Sequence, residues 1–216
     1  ALEVYYALKP DQTFTLATKV TARIAELEFK LGQYEKAIPE FHRLAKIATN
    51  KKEQYTAWSG LMESHYYLAL YDSSVFYAQQ IIKNGNVNAS SQNKASVFIG
   101  KSAMAKGDYE AAKDEFINTL NTAQDEYGAE ANYLLAEIFY LNKDHKQSNE
   151  TLMSLNTSFS SYTTWVGKSW LLLADNYEAM GEVFQAKGTL KSLIDNFPLQ
   201  EVKDQAKGRL KRIEES

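Results

Sequence analysis

One phrase recurs five times along the chain, and a recurrence of this kind restricts the fold more than any other feature. The phrase is a small residue, any residue, an aromatic, two of any kind, a small residue, three of any kind and a large apolar residue. It reads Gly32-Gln33-Tyr34-Glu35-Lys36-Ala37 closing on Phe41, Gly107-Asp108-Tyr109-Glu110-Ala111-Ala112 closing on Phe116, and Gly181-Glu182-Val183-Phe184-Gln185-Ala186 closing on Leu190. Two looser copies run from Ala69 through Tyr71 and Ser74 to Ala78, and from Lys143 through His145 and Ser148 to Leu152. The copies begin about 36 to 38 residues apart.

A second pattern precedes each copy. A large apolar residue stands eight places before it, at Ile24, Leu61, Ile99, Leu135 and Leu173, followed by Ala25, Met62, Gly100, Ala136 and Ala174. Trp58 and Trp170 fall in one further shared column. Each repeat therefore reads as helix, tight turn, helix. The turn residue is Gly in three copies, where a helix C-terminus asks for positive φ, and Asp108 caps the helix that follows it. Only 3 Pro and 10 Gly are present in 216 residues, which favours long helices. A lone helical hairpin exposes an apolar face. Stacking covers that face with the next hairpin, small residues such as Ala25 and Ala174 allow close approach, and Phe41, Phe116 and Leu190 fill the space between.

These residues resemble the tetratricopeptide repeat family. The similarity covers about residues 17–198 and is carried best by Trp170, Leu173, Ala174, Tyr177, Gly181, Ala186 and Pro198, and by Trp58 with Leu61. Against the family's usual period of 34, two to four residues are added per repeat, placed at helix ends and in the connections 83–90 and 156–163. The resemblance implies an all-α superhelix, a solenoid of about five helical hairpins. The ending Asp195-Asn196-Phe197-Pro198 before a charged helix is similar to envelope-associated bacterial members, including lipoproteins that assist outer-membrane protein assembly. That likeness implies a bacterial periplasm or cell envelope over the cytoplasm.

The family lines the concave side of its solenoid with the first helix of each hairpin. Carried over by column, the partner-binding residues are Glu26 and Phe29, then Glu63, Tyr66 and Tyr67, then Lys101 and Met104, then Tyr133, Glu137 and Tyr140, and Asp175. The Lys, Asn and Arg cluster with which some members hold a C-terminal carboxylate is missing, since its columns carry Ala22 and Glu26, Ser59 and Glu63, and Val97 and Lys101. The aromatics are expected to grip an apolar side chain of a peptide. The acids are expected to favour basic residues on it. Packing between repeats is the competing role for each aromatic, above all for Tyr66 and Tyr140 near the turns.

Other classes of function find little in the sequence. The net charge of -3 and the absence of a basic stripe argue against nucleic acid. The longest apolar stretch, Trp170 to Ala174, is too short to span a membrane. With no Cys there is no disulfide or thiolate chemistry. His42, His65 and His145 are not spaced as metal ligands, and His65 shares a column with Phe139 and Tyr177, which marks it as a packed ring. Asp175 and Glu178 share a helix face and are a candidate acid/base pair, but no phosphate loop or nucleophile elbow accompanies them. No cofactor is expected.

The ends differ. Residues 199–216 read as a capping helix, with Val202, Ala206, Leu210 and Ile213 inward and charges outward. Ala1-Leu2-Glu3-Val4-Tyr5 resembles Ala37-Ile38-Pro39-Glu40-Phe41, so residues 1–10 read as a partial helix of a preceding repeat, ended by Pro10, in a longer repeat protein. The expected role is a non-enzymatic scaffold that binds a protein or peptide. The alternatives are an α/α hydrolase-type or glycan-active domain, which needs a deep pocket of converging acids, and a structural spacer without a groove of consistent character.

Overall fold

A computed structural model describes residues 1–8, 14–84 and 87–215. Among them are twelve helices and no strand: α1 (Leu2–Leu8), α2 (Phe14–Lys30), α3 (Tyr34–Ile47), α4 (Lys51–Tyr67), α5 (Tyr71–Lys83), α6 (Ala89–Ala105), α7 (Tyr109–Leu120), α8 (Glu126–Leu141), α9 (His145–Ser158), α10 (Thr163–Ala179), α11 (Val183–Asn196) and α12 (Gln200–Glu215). The expected stop at Pro10 lies outside the described residues, as does part of the connection 83–90. The helices form two compact units, Ala1–Ala112 and Lys113–Ser216.

Within the N-terminal unit, α2 packs on α3 and α4, and α4 packs on α5 and α6. Within the C-terminal unit, α8 packs on α9 and α10, and α10 packs on α11 and α12. Within each unit, successive hairpins thus lay first helix beside first helix, the α/α solenoid arrangement in which neighbours bury each other's apolar stripe. The column eight places before the turn is buried at Ile24, Leu61, Leu135 and Leu173. In the third repeat Val97 and Phe98 are buried and Ile99 is half-buried. The closest approach at a described glycine is a notch at Gly60 on α4, where an added Cβ would meet the Phe41 ring of α3 at 2.2 Å.

The five phrase-opening residues share one backbone state. Gly32, Ala69, Gly107, Lys143 and Gly181 have φ of 72°, 58°, 81°, 63° and 77°, and no other described residue has positive φ. At each, the turn residue's N–H donates to the carbonyl three residues back, and the next N–H donates to the carbonyl five residues before itself; Gly32 to Phe29 and Gln33 to Glu28, both 2.9 Å, are typical. This is the Schellman closure, which satisfies the last carbonyls of the first helix. The following helix then starts at once. Asp108 accepts from the Ala111 N–H at 3.1 Å and Asp144 from the Gln147 N–H at 3.1 Å. Asn50, Asn88 and Asp125 likewise cap the first helices α4, α6 and α8.

The C-terminal helix α12 buries Val202, Ala206 and Ile213 against α10 and α11. Gly167 on α10 leaves room for this, because a Cβ there would strike Val202 at 2.6 Å and Phe197 at 2.8 Å.

Ala69 and Lys143 carry side chains where the backbone favours glycine. Ala69→Gly and Lys143→Gly are expected to raise the unfolding free energy by about 0.5–1 kcal/mol each in urea titrations. Gly60→Ala is expected to lower it by about 1–3 kcal/mol, because the Phe41 ring has to move.

Candidate partner-binding surface

The side chains of the first helices α2, α4 and α6 meet on one surface of the N-terminal unit. Glu26, Phe29 and Glu63 line a depression of about 230 Å³ together with Lys30, Tyr55, Thr56, Ser59 and Lys94, and Phe41 and Gly60 belong to the same lining. Glu63 is already paired within the fold. Its Oε1 accepts from Lys94 Nζ at 2.6 Å and from Ser59 Oγ at 3.0 Å. With both charged side chains less than a fifth exposed, at 19% and 18%, this is a half-buried ion pair tying α4 to α6. Glu26 faces Arg23 of its own helix at 3.0 Å, an exposed pair of small energetic weight.

A chain of rings crosses the turn end of this surface. Phe29 meets Tyr34 and Tyr67 with ring centroids 5.3 and 6.0 Å apart, and Tyr34 stacks on Tyr67 at 4.9 Å. Tyr67 leads to Tyr66 at 5.7 Å, and Tyr66 to Phe98 at 5.2 Å and Tyr71 at 5.7 Å. Tyr66 and Phe29 are half-buried, whereas Tyr67 is 51% exposed. Packing between repeats therefore claims much of Phe29 and Tyr66, and Tyr67 keeps an open ring face. Lys101 Nζ lies 5.1 Å from the Tyr66 ring centroid and 4.6 Å from that of Phe98. Met104 is half-buried on α6.

The C-terminal unit repeats the lysine–ring device two helical turns further from its turn. Lys168 Nζ lies 4.1 Å from the Trp165 ring and 6.0 Å from the Tyr133 ring. In both units the lysine covers the ring three residues earlier on its own helix and a tyrosine 35 residues earlier on the preceding first helix. Burial, then the Glu137 carboxylate, push the Tyr133 phenol above its ordinary 10. Burial likewise raises Glu137 above 4.5, and the Lys168 ammonium draws it part of the way back. Tyr140 packs edge-on against His145 at 5.4 Å.

Tyr140 and Asp175 line a second depression, of about 370 Å³, with Gln205, Gly208, Arg209 and Arg212 of α12. Arg209 Nε donates to both Asp175 oxygens, at 3.0 and 3.1 Å. Arg212 pairs with Glu178 and lies 3.6 Å from Asp175. The two acids that sequence spacing offered for acid/base work are thus tied to the guanidinium groups of the next helix.

Sequence reasoning had assigned the acids Glu63 and Asp175 to a partner's basic residues, and it missed the residues that engage them. Lys94 stands 31 positions after Glu63, and Arg209 stands 34 after Asp175. A separation a few residues short of the 36- to 38-residue repeat is the signal that finds such pairs, because stacking brings each first helix beside the matching helix of the next element. His65 is a packed ring, stacked on Tyr77 at 5.5 Å with Nδ1 donating to the Leu61 carbonyl at 2.7 Å. Among the described residues no group of three or more His, Asp or Glu is placed to hold a metal, and no helix is long and apolar enough to cross a membrane.

Residues 168–199, from within α10 to the residue before α12, match the family model of the tetratricopeptide repeat. The chain carries a tetratricopeptide repeat. Its fold is that of solved proteins built from such repeats. One is a signal transduction ATPase with numerous domains, with a tetratricopeptide repeat sensor, from Pyrococcus horikoshii: TM-score 0.78, 12% identity, 99% of this chain and 35% of that one. A tetratricopeptide repeat protein from Parabacteroides merdae is similar over 99% of this chain and 78% of its own, with TM-score 0.70 and 12% identity. YrrB, described as a tetratricopeptide repeat protein with an unusual peptide-binding site, matches 91% of this chain and 98% of its own, with TM-score 0.57 and 12% identity. Identities this low establish a shared fold alone, and this chain spans about a third of the Pyrococcus protein. No curated protein matches the sequence.

Glu137 supplies a pH test. Its pKa is higher folded than unfolded, so its contribution to stability is complete below the unfolded value of 4.5 and is lost as pH rises through the folded value. Glu137→Gln is expected to remove that loss, raising the urea midpoint at about pH 7 while leaving it little changed at about pH 4. Equal shifts at both pH values would contradict a buried carboxyl.

Proposed function

We propose that this chain is a protein-interaction scaffold that holds a peptide or a protein segment on the first-helix surfaces of its hairpins. The tetratricopeptide fold supports the general role, and YrrB, a protein of the same fold, is described as having a peptide-binding site. The observation that carries the reading is Tyr67. Its ring is fixed on one face by stacking on Tyr34 and is half open to solvent beside the depression that holds Phe29. A ring ordered in advance gives up little side-chain freedom when a partner covers it, and tyrosine is enriched among the residues that dominate binding energy.

Two other roles fit less well. A hydrolytic domain needs acids free to exchange protons with a substrate, whereas the oxygens of Asp175 and Glu178 are engaged by Arg209 and Arg212. A passive spacer has no reason to gather one set of side chains on a surface, and the face of α2, α4 and α6 joins aromatics of α2 and α4 to lysines of α2 and α6.

Tyr67→Ala in the full chain tests the reading. Stability is expected to fall by about 1 kcal/mol, the value of a ring pair, with unchanged helical content by circular dichroism. Proteins that co-purify with the wild-type chain are expected to be retained about tenfold less. Unchanged retention with the fold intact would remove this surface from consideration.

A further inference from the structure

The formal charges on the first-helix columns that line the surface differ in sign between the two units. On the face of α2, α4 and α6 those columns hold four lysines, Lys19, Lys30, Lys94 and Lys101, against Glu26 and Glu63. The corresponding columns of α8 and α10 hold Lys168 against Glu130, Glu137, Asp175 and Glu178. Those acids are not left as a bare acidic face, because α12 adds Arg209 and Arg212, which pair with Asp175 and Glu178. The N-terminal face is therefore positive within a chain of net charge -3.

Which charges are already satisfied sharpens the contrast. Glu63 is neutralised by Lys94, and Glu26 is matched by Arg23. Lys19 and Lys30 are exposed and make no ion pair among the described residues. They stand eleven residues apart on α2, three helical turns, and so on one side of it. Lys30 lies on the lining of the depression, beside Phe29.

We propose that the face of α2, α4 and α6 selects a linear segment that combines leucine or aromatic side chains with Asp or Glu. This is the opposite sign from the basic partner that the sequence alone favoured, and it rests on the scaffold reading given above. The apolar side chain covers Tyr67 and enters beside Phe29, while carboxylates approach Lys30 and Lys19. Like-charge contact disfavours a basic segment on the same face.

The test uses the full chain on an array of random nine-residue peptides, in parallel with Lys19→Glu/Lys30→Glu and with Tyr67→Ala. Both lysines are exposed, so the double variant is expected to keep its helical content, with at most a slight fall in melting temperature where Lys30→Glu opposes the α2 dipole. In the supporting outcome, peptides bound by the wild type and lost with Tyr67→Ala are enriched in Asp and Glu. Binding of a selected peptide then weakens about tenfold in the double variant and also weakens with added salt. If the Tyr67-dependent peptides are enriched in Lys and Arg, or bind the double variant as well as the wild type, the charge inference is overturned and the scaffold reading stands. If no bound peptide depends on Tyr67, the binding surface itself is wrong and the inference falls with it.

Discussion

A helical hairpin with one greasy face is not stable in water until something covers that face, and here the cover is the next hairpin. Leu61, Leu135 and Leu173 are buried because the neighbouring helices approach closely enough to exclude water. That approach depends on small residues at the crossing points, most clearly Gly60 beneath the Phe41 ring. It also depends on turns short enough to bring the second helix straight back. Five left-handed residues closed by the same pair of backbone hydrogen bonds provide those turns. Every side chain that faces the candidate surface is positioned by this repeated geometry.

The sequence made this architecture legible because period, turn and buried column are all local signals. Gly32, Gly107 and Gly181 announce their turns by residue type. Ala69 and Lys143 do so only by position, since nothing in an alanine or a lysine asks for positive φ. Register within the third repeat was less clear. Phe98 and Ile99 are adjacent and both apolar, and only the packing decides that the phenyl ring turns inward.

The surface was legible as a set of positions and much less so as a set of charges. Columns located Phe29, Tyr67 and Glu63 on the first helices, but a column describes one repeat at a time. Whether Glu63 faces solvent or Lys94 depends on the next repeat, and whether Asp175 is free depends on α12. Tyr34 and Tyr71 belong to second helices, so a reading confined to first helices left them out, although they complete the chain of rings. Local composition cannot resolve such pairings. They become visible when residues 31 to 34 positions apart, a few short of one repeat, are compared.

The Gly60 notch has a consequence beyond packing. Phe41 and Gly60 are at once the joint between the first two hairpins and part of the lining of the depression. On the proposed surface, the wall that a visiting side chain would touch is also the joint between two structural modules. An occupant wedged there would resist a change in the angle between α3 and α4, so contact on the outside would be felt as stiffness on the inside. Recognition and mechanical rigidity would then be one property of the same few atoms.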